Sequence, residues 1–391
     1  MLSGHADHLS DDMVSEILVR LPAADAVRSR AVCRAWRRIA GSPAFLAAHA
    51  RRQPLELILG DDGGWLHTAT LAALGDTWRW KRRHLPPLQG CQLVGACGGL
   101  LLLEMYVTTT SSSTRPRGSA LLVRICGLYI HGPSGEHRLL YLAGDDRSSE
   151  RGQRTASHRV LSLGGAGEAR RIGPPVAAIE MWTQMPEAYL QHRGKLHWLH
   201  HPEVHDTDAV LAFDTVSESF RRIPRPPPVR SQSSDDLLRC TMPPYRRMDT
   251  GDTGIRQIRR GYACPRPPCF VVEAHGNLAV MAVVDGCLYL WVMEDYDSDS
   301  SWRRHLRVSL PSPLRSACWA VNASDVGKDV ILLEDGCAQL VVLYDLPERK
   351  VLKQVELKRS DTRLARFVLR DSLERHGLFD VPSQFISMMP T

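Results

Sequence analysis

Four histidines, His197, His200, His201 and His205, fall within nine residues. Imidazole at that density is a donor set for a divalent transition ion. A metal centre here requires two or three of them on one face, with a carboxylate such as Glu203 or Asp206 alongside. The local pattern works against that convergence. Leu196 to Leu199 reads as a strand, so His197 points away from the Trp198 side, while His200 and His201 enter the turn at Pro202. A solvated turn is therefore expected, and no metal ligand is assigned. Cys264 and Cys269 flank Pro-Arg-Pro-Pro but lack a second pair, and none of the 10 cysteines forms a Cys-x-x-Cys motif.

Other chemistries are equally short of parts. Gly164-Gly165-Ala166-Gly167 is a glycine turn without the following helix that phosphate binding needs. No nucleophile elbow or paired-carboxylate motif is present, so catalytic and cofactor-binding residues are expected to be none. A net charge of +6 raises nucleic acid as a partner. The best patch is Trp78-Arg79-Trp80-Lys81-Arg82-Arg83-His84, where aromatics interleave with cations as single-strand binding requires. Lysine is scarce, however, and asparagine occurs only at Asn277 and Asn322, which fits a codon bias toward arginine better than a selected basic surface. The segment also reads as a strand with both tryptophans inward and its cations solvated. Nucleic-acid binding is kept as the alternative function, beside a protein-interaction scaffold of another kind.

The elements that would carry any site change character near Leu55. After it come short apolar runs bounded by turn residues: Leu55 to Leu59, Gln92 to Ala96, Leu100 to Leu103, Leu121 to Ile125, Arg138 to Leu142 and His158 to Leu163. The second half continues with Ala188 to Gln191, Lys195 to Leu199, Ala209 to Phe213, Cys269 to Glu273, Leu278 to Val284 and Leu288 to Met293. Val330 to Leu333, Gln339 to Tyr344 and Val351 to Leu357 complete the series. Many short strands with almost no helix between them predict an all-β barrel, sandwich or propeller. Gly-led strand starts at Gly194, Gly286 and Gly336, each followed by a second strand and a polar turn, favour the propeller, with room for roughly six or seven blades. Polar or proline-rich excursions near 107–119, 144–157 and 225–268 read as mobile loops, where recognition by a rigid scaffold commonly sits.

Before Leu55 the apolar residues follow helical spacing. Ser10 or Asp11 can cap a first helix with Asp11, Asp12 and Glu16 near its positive end. Met13, Val14, Ile17, Leu18 and Leu21 then fall on one stripe, and Pro22 closes it. Asp25 is a candidate cap for a second helix, Val32, Trp36 and Ile39 form a third apolar face, and Ser42-Pro43 opens a fourth helix. Trp36 and Phe45 read as packing residues. A bundle of roughly 40 residues is marginal alone, so it needs the rest of the chain or a partner.

The ordered set Leu9, Asp11, Asp12, Glu16, Ile17, Leu18, Leu21, Pro22, Arg30, Val32, Cys33, Trp36, Ser42, Pro43 and Phe45 resembles an F-box. Two positions depart from it: Ser10 stands where the family has proline, and Asp25-Ala26-Val27 where it has a Ser-Leu pair. The Gly194 to Trp198 segment, with Ala212-Phe213-Asp214 and Glu218 to Pro224, is similar to the F-box-associated β domains of plant F-box proteins. The resemblance implies a substrate-recognition subunit of an SCF-type ubiquitin ligase, non-catalytic and without a cofactor. Its partners would be a small acidic adaptor, through it a cullin, and an unknown target protein. It places adaptor contact on Leu9, Ile17, Leu18, Leu21, Pro22 and Val32.

The expected organisation is multidomain. Residues 1–8 form a disordered N-terminus, 9–53 an α-helical bundle, and 54–391 a mainly-β, propeller-like domain. No signal peptide or membrane span is expected, because His5, Asp7 and His8 interrupt any apolar start and the longest apolar runs are split by Asp285-Gly286. Cysteine-bearing chains of this kind belong in a reducing compartment, the cytosol or nucleus.

Overall fold

The computed structural model describes residues 9–61, 66–71, 81–82, 91–97, 100–105, 123–144, 155–163, 168–177, 189–199, 201, 204, 209–227, 229, 269–298, 301–311, 314, 319–322, 329–335, 340–356 and 362–370. The chain divides into two compact units. One comprises Met1–Ala72, Arg79–Ile179 and Phe367–Thr391, the other Ala73–Trp78 and Glu180–Arg366.

Four helices open the first unit: α1 (Asp11–Leu18), α2 (Ala23–Ser29), α3 (Arg34–Ala40) and α4 (Pro43–Arg52). Ser10 caps α1 by accepting a hydrogen bond from the Met13 N–H at 3.3 Å. Ser42 does the same for Phe45 at 3.3 Å, with Pro43 in the first turn. The second helix differs from expectation. Its cap position is Pro22, and Asp25 lies inside the helix, where it pairs with Arg28 at 3.0 Å. Proline supplies the helix-ready backbone one step early, leaving the aspartate for an i,i+3 pair. Val14, Leu18, Val19, Ala26, Ile39, Ala40 and Phe45 form the buried core of this bundle, with Leu21 and Trp36 packed on its edge.

The rest is β structure, in meanders of antiparallel strands. The first unit continues with β1 (Leu55–Asp61), β2 (Leu66–Thr70), β3 (Lys81–Arg82), then β4 (Cys91–Cys97) and β5 (Leu100–Met105), then β6 (Val123–Ile130), β7 (His137–Gly144), β8 (Thr155–Leu163) and β9 (Arg170–Ala177). The second unit holds β10 (Leu190–His192), β11 (Lys195–Trp198), β12 (Ala209–Asp214) and β13 (Ser219–Pro224) in one sheet. The next has β14 (Cys269–Ala274), β15 (Asn277–Val284), β16 (Cys287–Met293) and β17 (Trp302–Ser309), followed by β18 (Trp319–Asn322), β19 (Val330–Asp335), β20 (Leu340–Asp345) and β21 (Lys350–Glu356). The last strand, β22 (Thr362–Arg370), pairs with β1 in the order β22-β1-β2-β3.

Among the described residues there are thus five four-stranded sheets and the two-stranded β4-β5 pair. Each four-stranded meander is a propeller-like blade, as expected, but there are five among the described residues where the sequence left room for roughly six or seven. Local chemistry explains the repeat. Two-residue turns at Arg193-Gly194, His275-Gly276 and Asp285-Gly286 all have positive φ at both positions, the conformation that matches the twist of a tight hairpin. Asp214 Oδ1 accepts from the Val216 and Ser217 N–H groups at 2.9 Å, and Asp345 Oδ1 accepts from Glu348 at 2.9 Å, closing equivalent turns. The residue after each aspartate then reaches the start of the second strand of its sheet: the Thr215 N–H donates to Gly194 O at 3.1 Å and the Leu346 N–H to Asp329 O at 3.2 Å.

Burial follows position in the sheet. Seven of the eight residues of β15 are buried, whereas β17 exposes Arg303, Arg304, His305 and Arg307. Charges on a sheet's last strand discourage pairing with another chain. The largest core cluster joins Met281 and Leu290 to Ile331 and Val342, filling the space between the second and third sheets of the second unit. No helix of the described residues is long and apolar enough to cross a membrane.

Candidate partner-binding surface

Helix α1 has two apolar faces. Val14 and Leu18, four apart, enter the bundle core, while Met13 and Ile17, offset by one residue, stay on the surface with Leu9. Met13 and Ile17, four residues apart, lie on one side of the helix, and Leu9 precedes its cap residue Ser10. Leu9 is 50%, Ile17 47% and Val32 63% exposed, and Met13 and Val27 are similarly uncovered. Large apolar side chains left exposed on so small a module make a candidate contact surface.

This arrangement sorts the six residues expected to meet the adaptor. Leu9, Ile17, Pro22 and Val32 are exposed, Leu21 is half-buried against the core edge, and Leu18 is fully buried. Leu18 therefore supports the surface from beneath. A single stripe had been expected where the helix carries two, because an eight-residue helix with five apolar positions nearby wraps past one face. Met13 and Val27 were missed as surface residues. The four-residue spacing of Met13 and Ile17 was the available signal.

The surroundings hold the surface rigid. Buried His49 on α4 donates from Nε2 to the Leu21 carbonyl at 3.0 Å, tying α4 to the end of α1. Arg30 donates to Ala40 O from Nε and Nη2 at 3.2 and 2.9 Å, satisfying the C-terminal end of α3. Arg37 Nε donates to Arg30 O at 3.1 Å, and Arg38 pairs with Asp11 across the bundle. Eight arginines against four acidic residues between positions 9 and 53 make the module positive. Such a field speeds encounter with an acidic partner.

The histidine cluster is differently placed from the expected solvated turn. His197 and His201 are both buried, because both faces of the β11 sheet are covered and Trp198 is buried as well. His197 Nδ1 donates to Leu190 O at 3.4 Å, and its Nε2 accepts from the Tyr296 hydroxyl at 2.8 Å. Burial pushes the His197 pKa down to about 4 and the Tyr296 hydroxyl up to about 12, so both stay neutral near pH 7. His201 packs its ring 5.4 Å from that of Trp198. The His197 ring is thus committed to a neutral hydrogen-bonded pair that locks the segment after β16 onto β11. His200, Glu203, His205 and Asp206 lie outside the described residues, as do Cys264, Gly164 to Gly167, residues 107–119, and all of the Trp78 to His84 patch except Lys81 and Arg82.

Comparison with known proteins bears directly on the helical module. Residues 7–47 match the F-box domain family. Over 396 aligned positions, covering 88% of this chain and 86% of the relative, the sequence is 23% identical to F-box protein At3g07870 of Arabidopsis thaliana. Among solved structures, a chain of the nidogen/laminin complex is similar with a TM-score of 0.39 and 9% identity, covering 81% of this chain and 96% of that one. The β-propeller domain of Cps50 (Swd1) from Myceliophteria thermophila is similar with a TM-score of 0.29 and 10% identity, covering 79% and 88%.

Proposed function

We propose, from the premise that the chain carries an F-box domain at its N-terminus, that it is the substrate-receptor subunit of an SCF-type cullin-RING ubiquitin ligase. The observation that carries this reading is the exposed apolar set Leu9, Met13, Ile17 and Val32, on an arginine-rich module whose own core is already complete without them. Covering Ile17 or Val32 with a partner is worth about 1.5–3 kcal/mol each. The acidic adaptor docks on this face, Pro22 and Leu21 border it, and the cullin is reached through the adaptor.

The propeller-like region takes the other role and binds a target protein. Loops on a repeated sheet scaffold are suited to that task, and residues 107–119, 144–157 and 225–268 are the segments of this chain with the composition for it. The mechanism is proximity. Holding a target lysine near activated ubiquitin on other subunits raises effective concentration, with no nucleophile supplied by this chain. The setting is the reducing cytosol or nucleus. Copurification of the chain with the ligase adaptor tests the reading: recovery must depend on the exposed apolar set, and no recovery from the native chain overturns it.

A further inference from the structure

A second histidine pair stands apart from the β11 cluster. His275 occupies the first position of the tight turn between β14 and β15, with a φ of 54°. Its Nδ1 lies 2.7 Å from Asp329 Oδ2, and its backbone N–H donates to Asp329 Oδ1 at 2.6 Å. Asp329 is itself largely covered, with its side chain 8% exposed. His275 is therefore held at two points by one carboxylate, once through its ring and once through its backbone. That carboxylate accepts the Nδ1 proton and leaves the Nε2 lone pair bare. His275 Nε2 faces His305 Nε2 at 2.8 Å, with ring centroids 4.4 Å apart.

His305 is aimed there by an irregularity in its strand. Leu290 pairs with Leu306 and Trp291 with Arg304, so His305 is the extra residue of a β-bulge. Bulges re-aim side chains and recur beside functional sites. His305 is exposed and a third of the His275 side chain is, so water can reach the pair and a bare N–H···N bond gains little.

We propose that His275 Nε2 and His305 Nε2 form a surface site for a first-row divalent ion of the zinc type, with Asp329 as the positioning residue behind His275. A carboxylate on the far nitrogen is the usual support of a metal-bound histidine, since it fixes the tautomer and raises ligand basicity. Imidazole donors select zinc, nickel or copper over magnesium and calcium, which take oxygen. Two imidazoles on a tetrahedral zinc with Zn–N near 2.0–2.1 Å have nitrogens about 3.3 Å apart. The pair must open by about 0.5 Å from its hydrogen-bonded separation, which two surface rings can do. On binding, the proton between the rings moves to His305 Nδ1, both Nε2 lone pairs coordinate the ion, and water fills the remaining positions. The site is independent of the ubiquitin-ligase reading.

The test titrates Zn2+ into the untagged full-length chain at pH 7.5 against a chelating dye, comparing native protein with His305→Gln, His275→Asn and Asp329→Asn. Asparagine tolerates the positive φ of position 275, so that variant keeps its turn. The native chain is expected to bind one more equivalent of Zn2+ than His305→Gln and His275→Asn, and Asp329→Asn to weaken that equivalent about 10- to 100-fold. Circular dichroism of the four metal-free proteins should agree. Equal Zn2+ uptake by native and His305→Gln chains of the same fold, or none by the native chain, overturns the proposal.

Discussion

Ile17 and Leu18 are consecutive on α1 and point about 100° apart: Leu18 is fully buried with Val14, Ile39 and Phe45, whereas Ile17 lies on the surface. Neighbouring residues of one helix thus divide between core and surface. Leu18→Ala should destabilise the chain by about 2–5 kcal/mol through lost packing and the cavity left behind. Ile17→Ala should stay within about 0.5 kcal/mol of the native chain. Urea unfolding followed by helical circular dichroism measures both, and equal effects would refute the two-faced helix.

Asp214 anchors a blade turn. Burial opposes its ionisation, but hydrogen bonds from Lys195 and from the Ser217 and Val216 N–H groups outweigh it and hold the carboxyl down to about 2. A depressed carboxylate pKa adds stability that is present above the unfolded value near 4 and is lost as pH falls through about 2. Asp214→Asn should lower stability at pH 7 and flatten the acid limb of the pH–stability curve below pH 4. An unchanged acid limb would count against the assigned pairing.

His197 likewise keeps its deprotonated form, which for an imidazole is the neutral one. Its pKa, lowered by burial to about 4, lies below the usual value of 6.5, so the unfolded chain binds a proton that the folded chain refuses. Stability from this group is complete above pH 6.5 and falls as pH drops toward 4, by at most about 1.4 kcal/mol per pH unit. Imidazole NMR should show His197 neutral at pH 5. Titration near pH 6.5 in the folded protein would contradict the buried bond to Tyr296.

Arg370, at the end of β22, donates from Nη1 to the carbonyls of Arg51 at 2.7 Å, in the last turn of α4, and of its C-cap Gln53 at 3.0 Å. A guanidinium on helix-terminal carbonyls is worth about 1.5–3 kcal/mol. Arg370→Ala should speed hydrogen exchange at the last turn of α4 and at the start of β1 while sparing the second unit. Uniform change throughout the chain, or none, would show that this contact does not hold α4.

Much of this was legible from composition and spacing, for identifiable reasons. Ser10 and Ser42-Pro43 announce helix starts because capping is a local hydrogen bond. Leu278 to Met293 announces a hairpin because an apolar run broken by Asp285-Gly286 admits little else. Strand β9 was not anticipated. Its Arg-Arg-Ile-Gly-Pro-Pro sequence lacks a strand pattern, yet it lies at the edge of its sheet, where prolines are tolerated. The pairing of β22 with β1 and the contact of His275 with Asp329 depend on partners hundreds or tens of residues away, which no window of sequence brings together. The burial of Leu18 was hidden for a subtler reason: two faces one residue apart look like one broad stripe until the bundle closes.

The central claim rests on the exposed apolar residues Met13 and Ile17 of α1 and on exposed Val32. It is tested most directly by measuring the affinity of the purified full-length chain for the ligase adaptor, native against an Ile17→Asp, Val32→Asp double variant with unchanged circular dichroism. Two desolvated apolar contacts replaced by charge should weaken binding at least about 100-fold. Equal affinity in both chains, or no binding by the native one, would contradict the account.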